Sequence, residues 1–94
     1  MEYLRALTEA IRENHDCECA HIDSVPVTEN FPAGPSWDGF VEVFRLFRHP
    51  QADWVYAWGT RENEVFTCVI ILGIPPIHSA REAVRAFLVS RGEI

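Results

Sequence analysis

The sequence predicts an α+β domain, a two-layer sandwich of order α-β-β-β-β-α in which an antiparallel four-stranded meander sheet is flanked by N- and C-terminal helices. Three observations predict it. Apolar residues recur every three or four positions at both ends of the chain, as on amphipathic helices. The middle is dense in Val, Ile, Phe and Trp, which suit pleated surfaces. The connections between the central apolar runs are short, so consecutive strands fold back on one another.

The first helix covers Glu2 to about Asn14. Tyr3, Leu4, Leu7, Ala10 and Ile11 share one face, while Glu2, Arg5, Glu9, Arg12 and Glu13 supply the wet one. A first strand follows from Cys19 to Thr28. Pro26 lacks a ladder donor, which places this strand at an edge or ends it there. The stretch from Glu29 to Ser36 has turn chemistry and is the one long loop. A second strand runs from about Gly39 to Arg48 and a third from Trp54 to about Trp58, joined as a hairpin. Thr60-Arg61-Glu62-Asn63 leads to a fourth strand, Val65 to Leu72. Ser79, with Glu82 three residues on, is a capping box opening the last helix. Ala80, Ala83, Val84, Phe87 and Leu88 form that helix's apolar stripe, and Gly92 stands where a left-handed cap belongs. There is no internal repeat or linker, so residues 1–94 are a single domain.

Both helices are expected on one sheet face, the economical way to bury two stripes. Yet the second and fourth strands are apolar on both faces: Val41, Val43 and Phe47 oppose Phe40, Phe44 and Leu46, and Val65, Val69 and Ile71 oppose Phe66, Cys68, Ile70 and Leu72. A face left bare calls for the long loop or a second copy of the chain, and a homodimer is the expectation.

Composition narrows the function classes. Fourteen acidic residues against eight arginines give a net charge of −6, which repels phosphate and makes nucleic acid an unlikely partner. The longest apolar run is strand-sized, so no membrane span is expected. The start of the chain, Met1-Glu2-Tyr3-Leu4-Arg5, lacks the pattern of a secretion signal, and a cytoplasmic location with three reduced cysteines is expected.

Four features have the residue types of a site. His15, Cys17, Cys19 and His21 form an H-x-C-x-C-x-H run of zinc- and copper-binding types. On an extended strand, however, alternate residues lie about 6.6 Å apart, too far for one closed tetrahedral centre, so neither metal nor cofactor is expected. Trp54, Tyr56 and Trp58 alternate along one strand face and could pack under helices, fill an interface or grip a ligand. Glu42 and Arg45 interrupt an apolar strand, where a carboxylate serves as a general base or pairs with an arginine. His21 is a further candidate beside them. His49 and His78 have no nucleophile pattern near them, and phosphate loops and hydrolase elbows are missing from the sequence.

The runs Val25-Pro26-Val27, Trp37-Asp38-Gly39-Phe40-Val41-Glu42-Val43-Phe44, His49-Pro50-Gln51-Ala52 and Tyr56-Ala57-Trp58 resemble a family of small uncharacterised bacterial proteins, with Ile74-Pro75-Pro76 a weaker echo. The resemblance covers about the middle third of the chain. It implies a bacterial source, for which carriage on a mobile element is common, and it brings no site. The element order is also similar to the double-stranded-RNA-binding fold with one strand added. The lysines that fold needs at its last helix are replaced here by Ser79-Ala80-Arg81-Glu82. Three functions follow as expectations: a homodimeric binding or assembly module, an acidic inhibitor or nucleic-acid mimic that docks on a basic protein, or a small-ligand protein or minor enzyme using the tryptophan stripe with Glu42 or His21. The chain is more readily a binder than an enzyme.

Overall fold

Antiparallel pairing of consecutive strands sets the architecture. The computed structural model describes residues 2–32, 34 and 36–92, with residue 62 by its backbone alone. Along the chain come α1 (Glu2–His15), β1 (Glu18–Asn30), β2 (Ser36–Phe47), β3 (Trp54–Glu62), β4 (Val65–Leu72) and α2 (Ala80–Ser90). The sheet order is β1-β2-β3-β4, and each neighbouring pair is antiparallel. The α+β class, the element order and the meander are as the sequence predicts.

Three strands outrun their expected limits. Pairing of β1 with β2 continues through Thr28↔Asp38 and Asn30↔Ser36, because a ladder is made by backbone groups and does not need apolar side chains. The long loop shrinks accordingly; its positions 33 and 35 lie outside the described residues. β3 likewise runs past Trp58, and its turn to β4 narrows to Asn63-Glu64. Both have positive φ, 51° and 67°, the geometry of tight two-residue hairpins. Pro26 lies in β1, an edge strand, where a residue without an N–H is tolerated.

The two-layer expectation is corrected. One cluster joins Leu7 and Ile11 of α1 to Phe44, Leu46, Val55 and Ala57. The other joins Ala83, Val84 and Leu88 of α2 to Val27, Val41, Tyr56 and Trp58. On β2 and β3 these sets alternate in sequence, so they point to opposite faces. The helices therefore lie on opposite faces, giving three layers. One helix suffices on the α2 face because Phe31, Trp37, Ile77 and Phe87 pack against the same cluster and widen the cover. Each sheet face thus carries a helix, which accounts for the apolar residues buried on both sides of the sheet, while Phe40, Phe47 and Val65 stay exposed.

Helix α2 is fixed at both ends. The Ser79 hydroxyl accepts from Glu82 N–H at 3.2 Å, and Glu82 reaches back to the His78 N–H at 2.9 Å. Gly92 has φ 72°, and its N–H returns to the Val89 carbonyl at 2.9 Å. These bonds satisfy groups that helix termini leave open.

The opposite-face arrangement is testable by a double-mutant cycle. Ile11→Val should cost about 0.5–1.5 kcal/mol and Leu88→Ala about 2–5 kcal/mol. Measured by urea unfolding, the two losses should add to within about 0.5 kcal/mol, since the sites share no partner. A larger coupling would place both helices on one face.

Candidate functional site

The sheet is forked. β1 and β2 share twelve residue pairs and β3 and β4 share eight. β2 and β3 share only four, Glu42↔Ala57 to Arg45↔Trp54. Beyond Glu42 and Ala57 the two hairpins part, and aromatic rings wedge the opening. On the α1 side, Tyr3 meets Phe66 edge-on with ring centres 6.1 Å apart, and its hydroxyl accepts from the Gly59 N–H at 2.9 Å. Position 59 has no room for a side chain: a Cβ would stand 2.3 Å from Phe66 Cζ and 3.1 Å from Tyr3 Cε1. On the α2 side the Trp37 ring lies against Gly39, 3.3 Å from where a Cβ would sit. Trp37 also meets Trp58 edge-on at 5.4 Å.

At the fork lies an open cleft of about 520 Å³. Trp37, Asp38, Gly39, Phe40 and Glu42 of β2 form one wall. Trp58, Gly59 and Thr60 of β3 form the other, and Tyr3 and Ser24 close the ends. Phe40 is 60% exposed at the rim. The volume falls within the range of small-molecule sites, about 300–1,000 Å³.

Glu42 is its polar centre. It is buried, at 5% exposure, and a buried carboxylate needs hydrogen bonds to offset lost hydration. His21 Nε2 lies 2.8 Å from its Oε1, and the Ser24 hydroxyl donates to the same oxygen. His21 and Ser24 are three residues apart, which on a regular strand puts them on opposite faces. A bulge brings them together. The register slips between His21 and Asp23, the extra residue Ile22 turns outward at 52% exposure, and the strand's facing reverses. No described group donates to Glu42 Oε2, and that oxygen keeps contact with solvent. The Trp58 indole Nε1–H is buried without a partner.

This arrangement is not a nucleophilic triad. In a triad the histidine bridges acid and hydroxyl through its two different nitrogens. Here one nitrogen, His21 Nε2, faces both: it is 2.8 Å from Glu42 and 3.5 Å from the Ser24 hydroxyl. Ser24 donates to Glu42 directly, so the histidine does not relay its proton as it does in a triad. Among the described residues no group of three or more His, Cys, Asp or Glu side chains could hold a metal ion. The H-x-C-x-C-x-H run disperses. His15 meets His49 at 5.5 Å, and burial followed by the His49 charge pushes its imidazole down. Cys17 and Cys19 pack toward α1. Burial pushes the Cys17, Cys19 and Cys68 thiols up, away from reactive thiolate.

The tryptophan stripe divides. Tyr56 and Trp58 are buried beneath the α2 side, where burial and then the Glu82 charge raise the Tyr56 phenol. Trp54 is 40% exposed at the far end of the sheet. Arg45 pairs in register with Trp54, away from the fork, with its guanidinium 5.9 Å from the Phe47 ring centre. Of the six residues singled out from the sequence, the structure brings Glu42, His21 and Trp58 to the fork and leaves Trp54, Tyr56 and Arg45 outside its lining. Tyr3, Ser24, Trp37 and Gly59 join it unforeseen. Gly59 was the one visible signal, a glycine in a strand that marks close approach. A larger concavity of about 610 Å³ at the end of α1 is rimmed by exposed charges such as the Arg12–Glu18 pair, which solvent screens.

A second buried carboxylate, Glu29, has a different role. Arg85 Nε donates to its Oε1 at 2.8 Å, and Arg81 lies 2.9 Å from the same oxygen. This pins α2 to β1. Burial alone would raise the Glu29 carboxyl, but hydrogen bonds from Arg85 and Arg81 and their charges outweigh it and hold it below its ordinary value.

Fold and site together define an α+β domain with a polar-centred aromatic cleft in its sheet. No protein-family model, curated protein or solved structure matches the chain significantly. No helix among the described residues is long and apolar enough to cross a membrane.

Two outcomes follow. Tyr3→Phe should cost about 0.5–1.5 kcal/mol and speed hydrogen exchange at the Gly59 amide; unchanged exchange there would mean the hydroxyl does not hold the fork. The Glu29 contribution to stability should be complete above the ordinary carboxylate value of 4.5 and lost as pH falls through the lowered folded value. Glu29→Gln should lower stability at pH 7 and flatten that acid loss in denaturant titrations. Parallel curves for the two proteins would remove the Arg85–Glu29 pin from the account.

Proposed function

We propose that this chain is a small-ligand-binding domain whose ligand sits in the fork between β2 and β3. The observation that carries this reading is the parting of the two strands beyond Glu42 and Ala57, which opens a cleft around a buried carboxylate. The opening is held by Tyr3, Trp37 and two glycines, and it leaves two kinds of ligand contact. Aromatic side chains offer apolar area, and Glu42 Oε2 accepts a hydrogen bond.

Binding rather than catalysis is the better match. The polar cluster has an acceptor with two donors already on it, and it lacks the acid–histidine–hydroxyl relay of a triad. The homodimer reading is left with less to cover, since each sheet face carries a helix and, of the apolar residues of β2 and β4, Phe40, Phe47 and Val65 are exposed. The acidic-inhibitor reading needs acids gathered on one face. Of the buried acids, Glu29 is occupied by arginines of its own chain and Glu42 by His21 and Ser24.

The test is an NMR titration of isotopically labelled protein with a chemically diverse fragment panel. Binders should shift the Gly39 and Gly59 amides and the indole N–H signals of Trp37 and Trp58, with Trp54 as the unaffected internal control. Shifts centred on Trp54 and Phe47, or no binder at all, would contradict the reading.

A further inference from the structure

We infer that the ligand of the fork is an organic cation, a small molecule with an ammonium group on an apolar body. This rests on the cleft being a ligand site, and it concerns which chemistry the cleft selects.

Two carboxylates line the cleft, Glu42 and Asp38, and no arginine or lysine is among its described lining residues. Glu42 is the more informative. A carboxylate has room for about four hydrogen bonds, and both that Glu42 receives fall on Oε1. Oε2 is left to whatever enters. Asp38 is exposed at the rim: Thr28 donates to its Oδ1 at 2.9 Å, and its charge adds to that of Glu42. Tyr3, Trp37 and Phe40 add ring faces. An ammonium within about 6 Å of a ring centre is attracted by the negative face, more strongly where water is excluded. Carboxylates beside aromatic rings favour a positive charge carried on carbon.

The alternatives fit less well. An anion would meet two carboxylates within a chain of net charge −6, whose field repels it and gathers cations. A neutral apolar molecule would cover Glu42 Oε2 without bonding it, which costs the carboxylate its remaining hydration. A bare metal ion needs several converging ligands, and no such group is present among the described residues.

Matched pairs of probes test this. Phenethylamine is compared with phenethyl alcohol, and choline with its neutral carbon isostere dimethylbutanol, each followed by the Gly59 amide and Trp37 indole signals. Each cation should bind at least about tenfold more tightly than its neutral counterpart. Glu42→Gln should abolish that preference. Asp38→Asn, an exposed change that leaves folding intact, should reduce it and keeps the test open if Glu42→Gln does not fold. Neutral probes that bind as tightly as the cations, or fragments at the cleft that are only neutral or anionic, would overturn the cation inference and leave the cleft standing as a site. Silence of the cleft toward every probe and every fragment would overturn both.

Discussion

Pairing between β2 and β3 spans four residue pairs, Glu42 to Arg45 against Trp54 to Ala57, and it joins two hairpins that otherwise share little backbone. Phe44, Val55 and Ala57 stand in this short ladder fully buried, under α1. On the other side Tyr56 anchors the cluster under α2. The central segment is therefore apolar on both faces because a helix packs on each, and it must be held in one register because a slip by one residue would exchange the two faces. Both hydrophobic clusters pass through it. Weakening it would loosen the two helices together, although they never share a face.

The brevity of that ladder is also what makes a site. Strands that pair along their whole length leave no opening in a sheet. Here the hairpins diverge, and side-chain size decides where. Glycine at 59 lets Phe66 and Tyr3 approach the backbone, and glycine at 39 lets the Trp37 ring lie flat against its own strand. The Tyr3 hydroxyl takes the Gly59 N–H, so that part of β3 can forgo a β2 carbonyl. The bulge at Ile22 works to the same end from the neighbouring strand, turning both His21 and Ser24 toward Glu42. The polar centre thus depends on three local departures from regular β structure, all within one corner of the sheet.

How much of this was legible in the sequence follows from which physics was local. Both helices, the cap at Ser79, the left-handed Gly92 and the fourth strand were readable, since periodicity and capping act within a few residues. The double apolarity of β2 and β4 was readable too, but its cause was misjudged: the helices take opposite faces, a choice made by packing and not by any local pattern. The site was half legible. Glu42 stood out as a charge in an apolar strand, and His21 beside it. Ser24 could not be paired with them, because alternation assigns it to the other face and a bulge leaves no fixed signature in residue types. Tyr3 read as one more apolar position on a helix, and its hydroxyl found its partner fifty-six residues away. The H-x-C-x-C-x-H run was conspicuous and scattered, since its members fall on a helix end, a turn and a strand.

The fork is the central claim, and cross-strand nuclear Overhauser contacts between backbone protons test it most directly. Contacts should join β2 to β3 across Val43 and Tyr56 and across Arg45 and Trp54, then stop, while β1–β2 contacts continue to Asn30 and Ser36 and β3–β4 contacts continue to the Asn63-Glu64 turn. Backbone contacts joining Phe40 to Gly59 would show a closed sheet, and with it neither a cleft nor a site.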